Sequence, residues 1–82
     1  MPRSIGQYEA IRKEKRELIL DTSLKLFAEN GFHQTSIEQI AKKAGISKGL
    51  IYNYFESKNA VLDEILKKGF DAIYTHFDLN KD

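Results

Sequence analysis

The sequence contains no cysteine, which excludes disulfide bonds, thiolate metal sites and cysteine nucleophiles. Its single proline is Pro2, so no proline interrupts a helix farther along the chain. No apolar run in the sequence approaches the roughly 20 residues that span a bilayer. A secretory signal would require an apolar stretch after Met1-Pro2-Arg3-Ser4, and the sequence has none there. We therefore expect a protein of the reducing cytoplasm, with no part in a membrane.

The motifs by which catalytic sites are usually recognised are also missing. The sequence has no phosphate-cradling glycine loop, no nucleophile elbow and no setting for paired carboxylates. Its two histidines are weak candidates for metal ligands. His33 lies four residues after Glu29, but Gly31 breaks the helix between them, and His76 lies near the end of the last predicted helix. We expect no enzyme activity, no cofactor and no metal.

The net charge of +1 is too small to identify a nucleic-acid-binding protein, but its distribution is uneven. Residues 1–17 carry five basic and three acidic side chains, residues 33–58 carry four and two, and residues 59–82 carry three and five. The first two segments are those we would place against a phosphate backbone. A solvated surface with chance asymmetry gives the same counts, so charge alone leaves this question open.

The chain of 82 residues, 41% hydrophobic and 30% charged, suits one small folded domain. Apolar residues recur at helical spacing and never alternate as in a strand, so the predicted fold is all-α. We predict a flexible arm or a frayed extension over residues 1–10, where Gly6 argues against a firm helix, a three-helix domain over residues 11–57, and a longer fourth helix. The predicted helices run from about Ile11 to Asn30, from Ser36 to Ala44, from Lys48 to Tyr54 and from Lys58 to Phe77.

Each helix has an apolar stripe that we expect to face a common core. The last part of the fourth helix should remain partly exposed, because the three shorter helices cannot cover all of its apolar residues. The stripes are Ile19, Leu20, Ser23, Leu24, Leu26 and Phe27; Ile37, Ile40, Ala41 and Ala44; Ile51 and Phe55; and Val61, Leu62, Ile65, Leu66, Gly69, Phe70, Ile73 and Phe77. The last part of the fourth helix carries Phe70, Ile73, Tyr74 and Phe77.

Capping residues mark the helix ends. Ser36 with Gln39 forms a capping box for the second helix, although Thr35 with Glu38 offers the same pairing one residue earlier. Gly45 permits a sharp turn, which Ile46 would plug from its apolar side. Serines at positions 47 and 57 are the expected caps of the third and fourth helices.

Two short helices joined by Ala44-Gly45-Ile46-Ser47 have the plan of a helix-turn-helix, whose second helix enters the DNA major groove. The residues on the outer side of that helix suit this role. Ser47 and Lys48 can donate to phosphates or base edges, Gly49 allows close approach to DNA, and Leu50 could contact a thymine methyl group. The hydroxyl groups of Tyr52 and Tyr54 could donate to phosphates. Alternatively, both tyrosines pack against neighbouring helices, and Leu50 is an ordinary surface leucine.

The starts of the second and fourth helices supply two more candidates. Ser36 and Lys58 each lie where unpaired amides and the helix dipole favour a phosphate oxygen. Ordinary capping, with Lys58 solvated, is the alternative, and capping is compatible with a phosphate contact.

At these positions the chain resembles the DNA-binding domain of TetR-family transcriptional regulators, over about residues 13–68. The resemblance rests on Leu26-Phe27, Gly31-Phe32, Ser36, Ile40-Ala41, Ala44-Gly45-Ile46-Ser47, Gly49, Ile51-Tyr52, Tyr54-Phe55 and Lys58. It implies operator contacts from Ser36, Ser47, Lys48, Gly49, Leu50, Tyr52, Tyr54 and Lys58. The family often has histidine where this chain has Tyr54, so the resemblance supports an operator contact less well at this position.

The resemblance also implies a ligand-released repressor that binds operator DNA as a homodimer. Family members carry a larger C-terminal domain that binds a small-molecule effector and dimerises. Residues 58–82 would lead into that domain, so we expect this chain to be part of a longer regulator. By itself the chain should be a monomer or associate weakly. The rival prediction is a helical protein-interaction module, and a metal-free enzyme is more remote.

Overall fold

The computed structural model describes residues 5–77, with the side chains of residues 6–71. Four α-helices make up this part of the chain, and it contains no strand. They are α1 (Ile5–Asn30), α2 (Ile37–Ala44), α3 (Lys48–Tyr54) and α4 (Lys58–Phe77). The all-α prediction is confirmed, and the last two helices have their predicted bounds. None of the helices in the described range is long and apolar enough to cross a membrane.

Helix α1 begins earlier than predicted. Residues 5–10, which we assigned to a flexible arm, form its first turns, and residues 1–4 lie outside the described residues. Gly6 falls in the first turn, where the backbone N–H has no acceptor within the helix and a glycine costs least. Glu9 and Ala10 favour helix by propensity. Residues 6–10 are all exposed, so this extension is helical without help from the core.

The core lies where the four helices meet. It consists of Ile19, Leu20, Leu26, Ile37, Ile40, Ala41, Ile51, Phe55 and Val61, all buried. Two leucines that we expected in this core are exposed, Leu24 at 51% and Leu66 at 52%. Both line an apolar groove between α1 and α4, together with Ile65, Gly69 and Phe70. No other described helix covers this groove, which is why the pattern of helical spacing overestimated the core.

Phe70 is 63% exposed, in agreement with the predicted partial exposure of α4. The side chains of Ile73, Tyr74 and Phe77 lie outside the described residues. The prediction for them stays untested.

The connection between α1 and α2 is held by Gly31 and Thr35. Gly31 has φ 89°, and its N–H donates to the carbonyl oxygen of Phe27 at 2.8 Å, which closes α1. The buried Thr35 hydroxyl lies 2.8 Å from the carbonyl oxygen of Gly31 and 3.3 Å from that of Leu26. Thr35 therefore fixes the end of α1 and does not cap α2.

The starts of α2 and α3, and the turn between these helices, have the predicted capping residues. The Ser36 hydroxyl accepts from the N–H of Gln39 at 3.1 Å, and the Gln39 side chain accepts from the N–H of Ser36 at 2.8 Å. Gly45 has φ 73°, and the next residue, Ile46, packs against the core. Ser47 caps α3 by accepting from Leu50 N–H at 3.0 Å.

Charged side chains join α1 to the later helices. Arg16 lies 3.3 Å from a carboxylate oxygen of Glu64 on α4, and its guanidinium stands over the Phe55 ring at 4.5 Å. Glu17 accepts from Lys68, also on α4. Through Arg16, Phe55 at the C-terminal end of α3 is joined to α1 and α4.

Candidate nucleic-acid interface

Helix α3 has one buried side and one exposed side. Ile51 is fully buried, and Phe55, which follows the helix, is buried as well. The opposite side is exposed and carries Ser47, Lys48, Gly49, Tyr52 and Asn53. A short helix with hydrogen-bonding side chains on its exposed side, held on its other side by a core, has the form of a recognition helix.

Gly49 has no packing reason to be glycine. A Cβ built on it would meet only the Ser47 hydroxyl oxygen, at 3.9 Å, which is ordinary van der Waals distance. Its backbone is helical, so no positive φ requires glycine either. Even in the first turn of a helix, glycine favours the helical conformation less than alanine does, and no contact within the fold requires it here. A close approach by another molecule would explain the residue.

The larger side chains of α3 differ in exposure. Tyr52 is 47% exposed, in line with its predicted place on the outer side. Leu50, expected to be exposed, is half-buried. Tyr54 is also half-buried and packs against the core, with the Arg12 guanidinium 5.0 Å from its ring centre. The alternative that Tyr54 packs against neighbouring helices is therefore correct for its ring.

Lys48 is engaged with an acidic neighbour that sequence reasoning did not pair with it. Its ammonium lies 2.8 Å from a carboxylate oxygen of Glu38, which is in the first turn of α2. The hydrogen bond from Lys48, reinforced by a backbone hydrogen bond at Glu38, holds the pKa of the Glu38 carboxyl below its ordinary value. The same bond with Glu38 raises the pKa of Lys48. Both partners stay largely exposed.

The two serine caps retain a hydrogen-bonding function toward solvent. Ser36 and Ser47 each use an oxygen lone pair to accept from a backbone N–H. A hydroxyl has one donor in addition to its two acceptor positions. Each serine can therefore cap its helix and still donate to a phosphate oxygen.

Lys58 is neither solvated nor fully available. Its ammonium donates to the carbonyl oxygens of Phe32 at 2.6 Å and Thr35 at 2.9 Å. It also lies 4.2 Å from the centre of the Phe32 ring. Of its three N–H donors, two bind the protein itself, so at most one is left for a phosphate. The prediction of a phosphate contact missed this structural role, because the two hydrogen bonds join residues more than 20 positions apart in the sequence.

Asn53 was also missed, although it lies on the exposed side of α3. An asparagine amide can pair with the donor and acceptor edge of adenine. Its position four residues after Gly49, on the same side of the helix, was the signal available in the sequence.

The described residues contain no group of three or more histidine, cysteine, aspartate or glutamate side chains that could hold a metal. The His33 ring instead makes an edge contact with the Phe32 ring, with their centres 5.5 Å apart. His76 lies outside the residues whose side chains are described.

Comparison with known proteins agrees with this geometry. Residues 19–65 match the family described as bacterial regulatory proteins, tetR family. The chain is 49% identical over 63 residues to the HTH-type transcriptional regulator YuxN of Bacillus subtilis (strain 168), covering 77% of this chain and 22% of YuxN. It is 40% identical over 60 residues to the HTH-type transcriptional repressor KstR2 of Rhodococcus jostii (strain RHA1), covering 73% of the chain and 29% of KstR2.

A solved structure has the same fold over most of the chain. The fatty acid degradation regulator FadR from Bacillus halodurans superposes with a TM-score of 0.68 and 33% identity. The match covers 83% of this chain and 38% of that protein. The chain therefore spans well under half the length of the relatives it matches.

Proposed function

The chain belongs to the TetR family of bacterial regulatory proteins, and from this premise we propose that it binds operator DNA sequence-specifically through α3. Regulators of this family, repressors among them, are its relatives by sequence and by fold. Helix α3 would lie in the major groove, where base edges distinguish one sequence from another. Ser36, Tyr52 and Lys58 would bind phosphates beside it and fix its position on the duplex.

The observation that carries this proposal is the open space beside Gly49. The fold leaves room for a side chain at the exposed start of α3, and the chain has none there. Ser47 and Lys48, the donors beside it, are exposed as well. The edge of a base pair could approach α3 closely at Gly49, because no side chain stands in the way, and it could accept hydrogen bonds from the donors beside it.

The rival prediction, a protein-interaction module, has no support from α3. Such a module would place a cluster of aromatic or apolar anchors on the exposed side of that helix, and Tyr52 is the one large hydrophobic side chain of α3 that is exposed. The exposed apolar groove of Leu24, Leu66 and Phe70 lies between α1 and α4 instead. Family membership also favours a regulator, a class that is generally not enzymatic.

Dimerisation and release by an effector are properties that we propose for a longer regulator. We infer a cytoplasmic homodimer that occupies paired half-sites and is released from DNA by a small-molecule effector. Two observations support this inference. The chain belongs to the family, and its match covers only 22% of the length of YuxN. The 82-residue chain itself should be a monomer or associate weakly, and sedimentation measures that directly.

Salt titration tests the DNA-binding proposal. Labelled duplexes are titrated with the chain between about 50 and 200 mM salt, and the affinity should fall steeply, because cationic side chains release condensed counterions. An affinity that does not depend on salt would count against phosphate contacts. Equal affinity for all duplexes would count against sequence reading.

A further inference from the structure

We propose that Glu38 is a specificity-determining residue, which holds the ammonium of Lys48 so that it favours base edges over DNA phosphates. This inference rests on the proposed function, since it concerns the same surface. The proposal gives an acidic residue, Glu38, a role in recognition on a surface whose other polar candidate contacts are hydrogen-bond donors.

The geometry joins two helices. Glu38 lies in the first turn of α2 and Lys48 is the first residue of α3, and the atoms of their ion pair are 2.8 Å apart. The Glu38 side chain is 66% exposed and that of Lys48 is 49% exposed. The carboxylate therefore reaches the solvent beside the recognition helix, at the place where the Lys48 ammonium would meet DNA.

The residues on either side of Lys48 add no charge beside the ion pair. Gly49 has no side chain, and the Ser47 hydroxyl accepts from the N–H of Leu50. The hydrogen bond to Glu38 takes one of the three N–H donors of Lys48, which leaves two.

A phosphate and a base edge respond differently to this arrangement. A phosphate oxygen that approaches Lys48 also approaches the Glu38 carboxylate, and the two like charges repel at short range. The O6 and N7 acceptors of guanine carry no net charge, so they can accept from the two remaining donors while the ion pair persists. Glu38 thus weakens contacts that any duplex offers and spares contacts that depend on sequence, which raises specificity through a repulsive element.

The test compares Glu38→Gln with Glu56→Gln. Both changes remove one negative charge, and Glu56 is an exposed residue between α3 and α4 outside this ion pair. Each protein is titrated against the duplex that the unmodified chain selects from a random pool, and against a scrambled duplex of equal length. Circular dichroism checks that both variants are folded at the titration temperature.

We expect Glu38→Gln to bind the scrambled duplex roughly two- to fivefold more tightly than Glu56→Gln does, the range measured for one exposed ion pair. The salt slope on that duplex should steepen by about 0.9, as for one additional phosphate contact. The affinity for the selected duplex should change less, so the ratio of the two affinities falls. In a Lys48→Met background, Glu38→Gln should have no more effect than Glu56→Gln, because Glu38 acts through Lys48.

Three results would overturn the inference. One is an equal effect of the two glutamine variants on the scrambled duplex, and another is an undiminished effect of Glu38→Gln without Lys48. The third is weaker binding to the selected duplex alone, which would mean that Glu38 itself contacts a base. Failure of the unmodified chain to prefer any duplex is a separate result, because it removes the proposed function as well.

Discussion

The ammonium of Lys58 lies over the Phe32 ring and donates to the backbone carbonyl of the same residue, 2.6 Å away. A second hydrogen bond, to the carbonyl oxygen of Thr35, completes the contact. The first residue of α4 is thereby attached to the connection between α1 and α2. The contact thus joins the segment before α2 to the helix after α3, so it closes a loop that contains both helices of the helix-turn-helix.

Replacement of Lys58 by methionine should therefore destabilise the fold. The variant keeps most of the apolar length and loses two charged hydrogen bonds, so we expect a loss of about 1–3 kcal/mol in the free energy of unfolding. Urea denaturation measures this. If the third N–H also contacts a phosphate, the salt slope for DNA binding should fall by about 0.9 in the folded variant. An unchanged free energy would show that the contact with Phe32 and Thr35 is not structural.

Gly49 and Gly69 provide a matched pair for separating stability from DNA binding. Both lie in helices, and neither has a protein atom within 3.4 Å of a built Cβ. Alanine at either position should leave stability unchanged or raise it by up to about 1 kcal/mol. Only Gly49→Ala should weaken DNA binding, and Gly49→Val should weaken it further, because each adds bulk where α3 approaches the duplex. Thermal unfolding and DNA titration of the three variants check this, and full affinity of Gly49→Val would contradict it.

Ser23 has a hydroxyl that is buried without a partner. Its oxygen is buried, and the residue is 0% exposed. Ser23→Ala should raise the free energy of unfolding by about 1 kcal/mol, because it removes an unsatisfied polar group and favours helix. Ser57→Ala is the contrasting change: it removes the hydroxyl that accepts from Ala60 N–H and should cost about 1 kcal/mol. A loss of stability in Ser23→Ala would show that the hydroxyl has a partner after all.

Stability should fall in acid because two carboxylates are paired in the folded state. The hydrogen bond from Lys68 holds the pKa of Glu17 below its ordinary value of 4.5, and the one from Lys48 does the same for Glu38. The unfolded chain then binds protons more readily, so the contribution of each group is complete above pH 4.5 and is lost as the pH falls through the lower folded-state value. Urea denaturation between pH 7 and 3 should show a shallower acid decline for Glu17→Gln and Glu38→Gln. The same decline in all three proteins would contradict the assignment.

Local features of the fold were predictable from sequence, and longer-range ones were not. The caps at Ser36 and Ser47 and the turn at Gly45 depend on residues three or four positions away, so their signals are contained in the sequence. The exposure of Leu24 depends on whether another helix covers it, which its spacing cannot reveal. The start of α1 was placed too late because residues 1–10 show no apolar pattern and Gly6 was taken to argue against a firm helix there.

The candidate interface divides in the same way. Helix-turn-helix spacing located α3, and helical periodicity identified only part of its exposed side. Leu50 and Tyr54 were expected there and are half-buried, and the exposed Asn53 was missed. The pairing of Lys48 with Glu38 spans 10 positions and that of Lys58 with Phe32 spans 26, so both required the packed structure. These two pairs change what the lysines can offer to DNA, although their charge was evident from the sequence.

Selection of bound duplexes from a random pool tests the central claim most directly. The unmodified chain and the Gly49→Val variant are each used to select duplexes, after circular dichroism has established that both are folded. We predict that the unmodified chain enriches one defined sequence and that the variant enriches a different sequence or none. Enrichment of no sequence by the folded chain, or of the same sequence with equal affinity by the variant, would contradict the claim that α3 reads DNA.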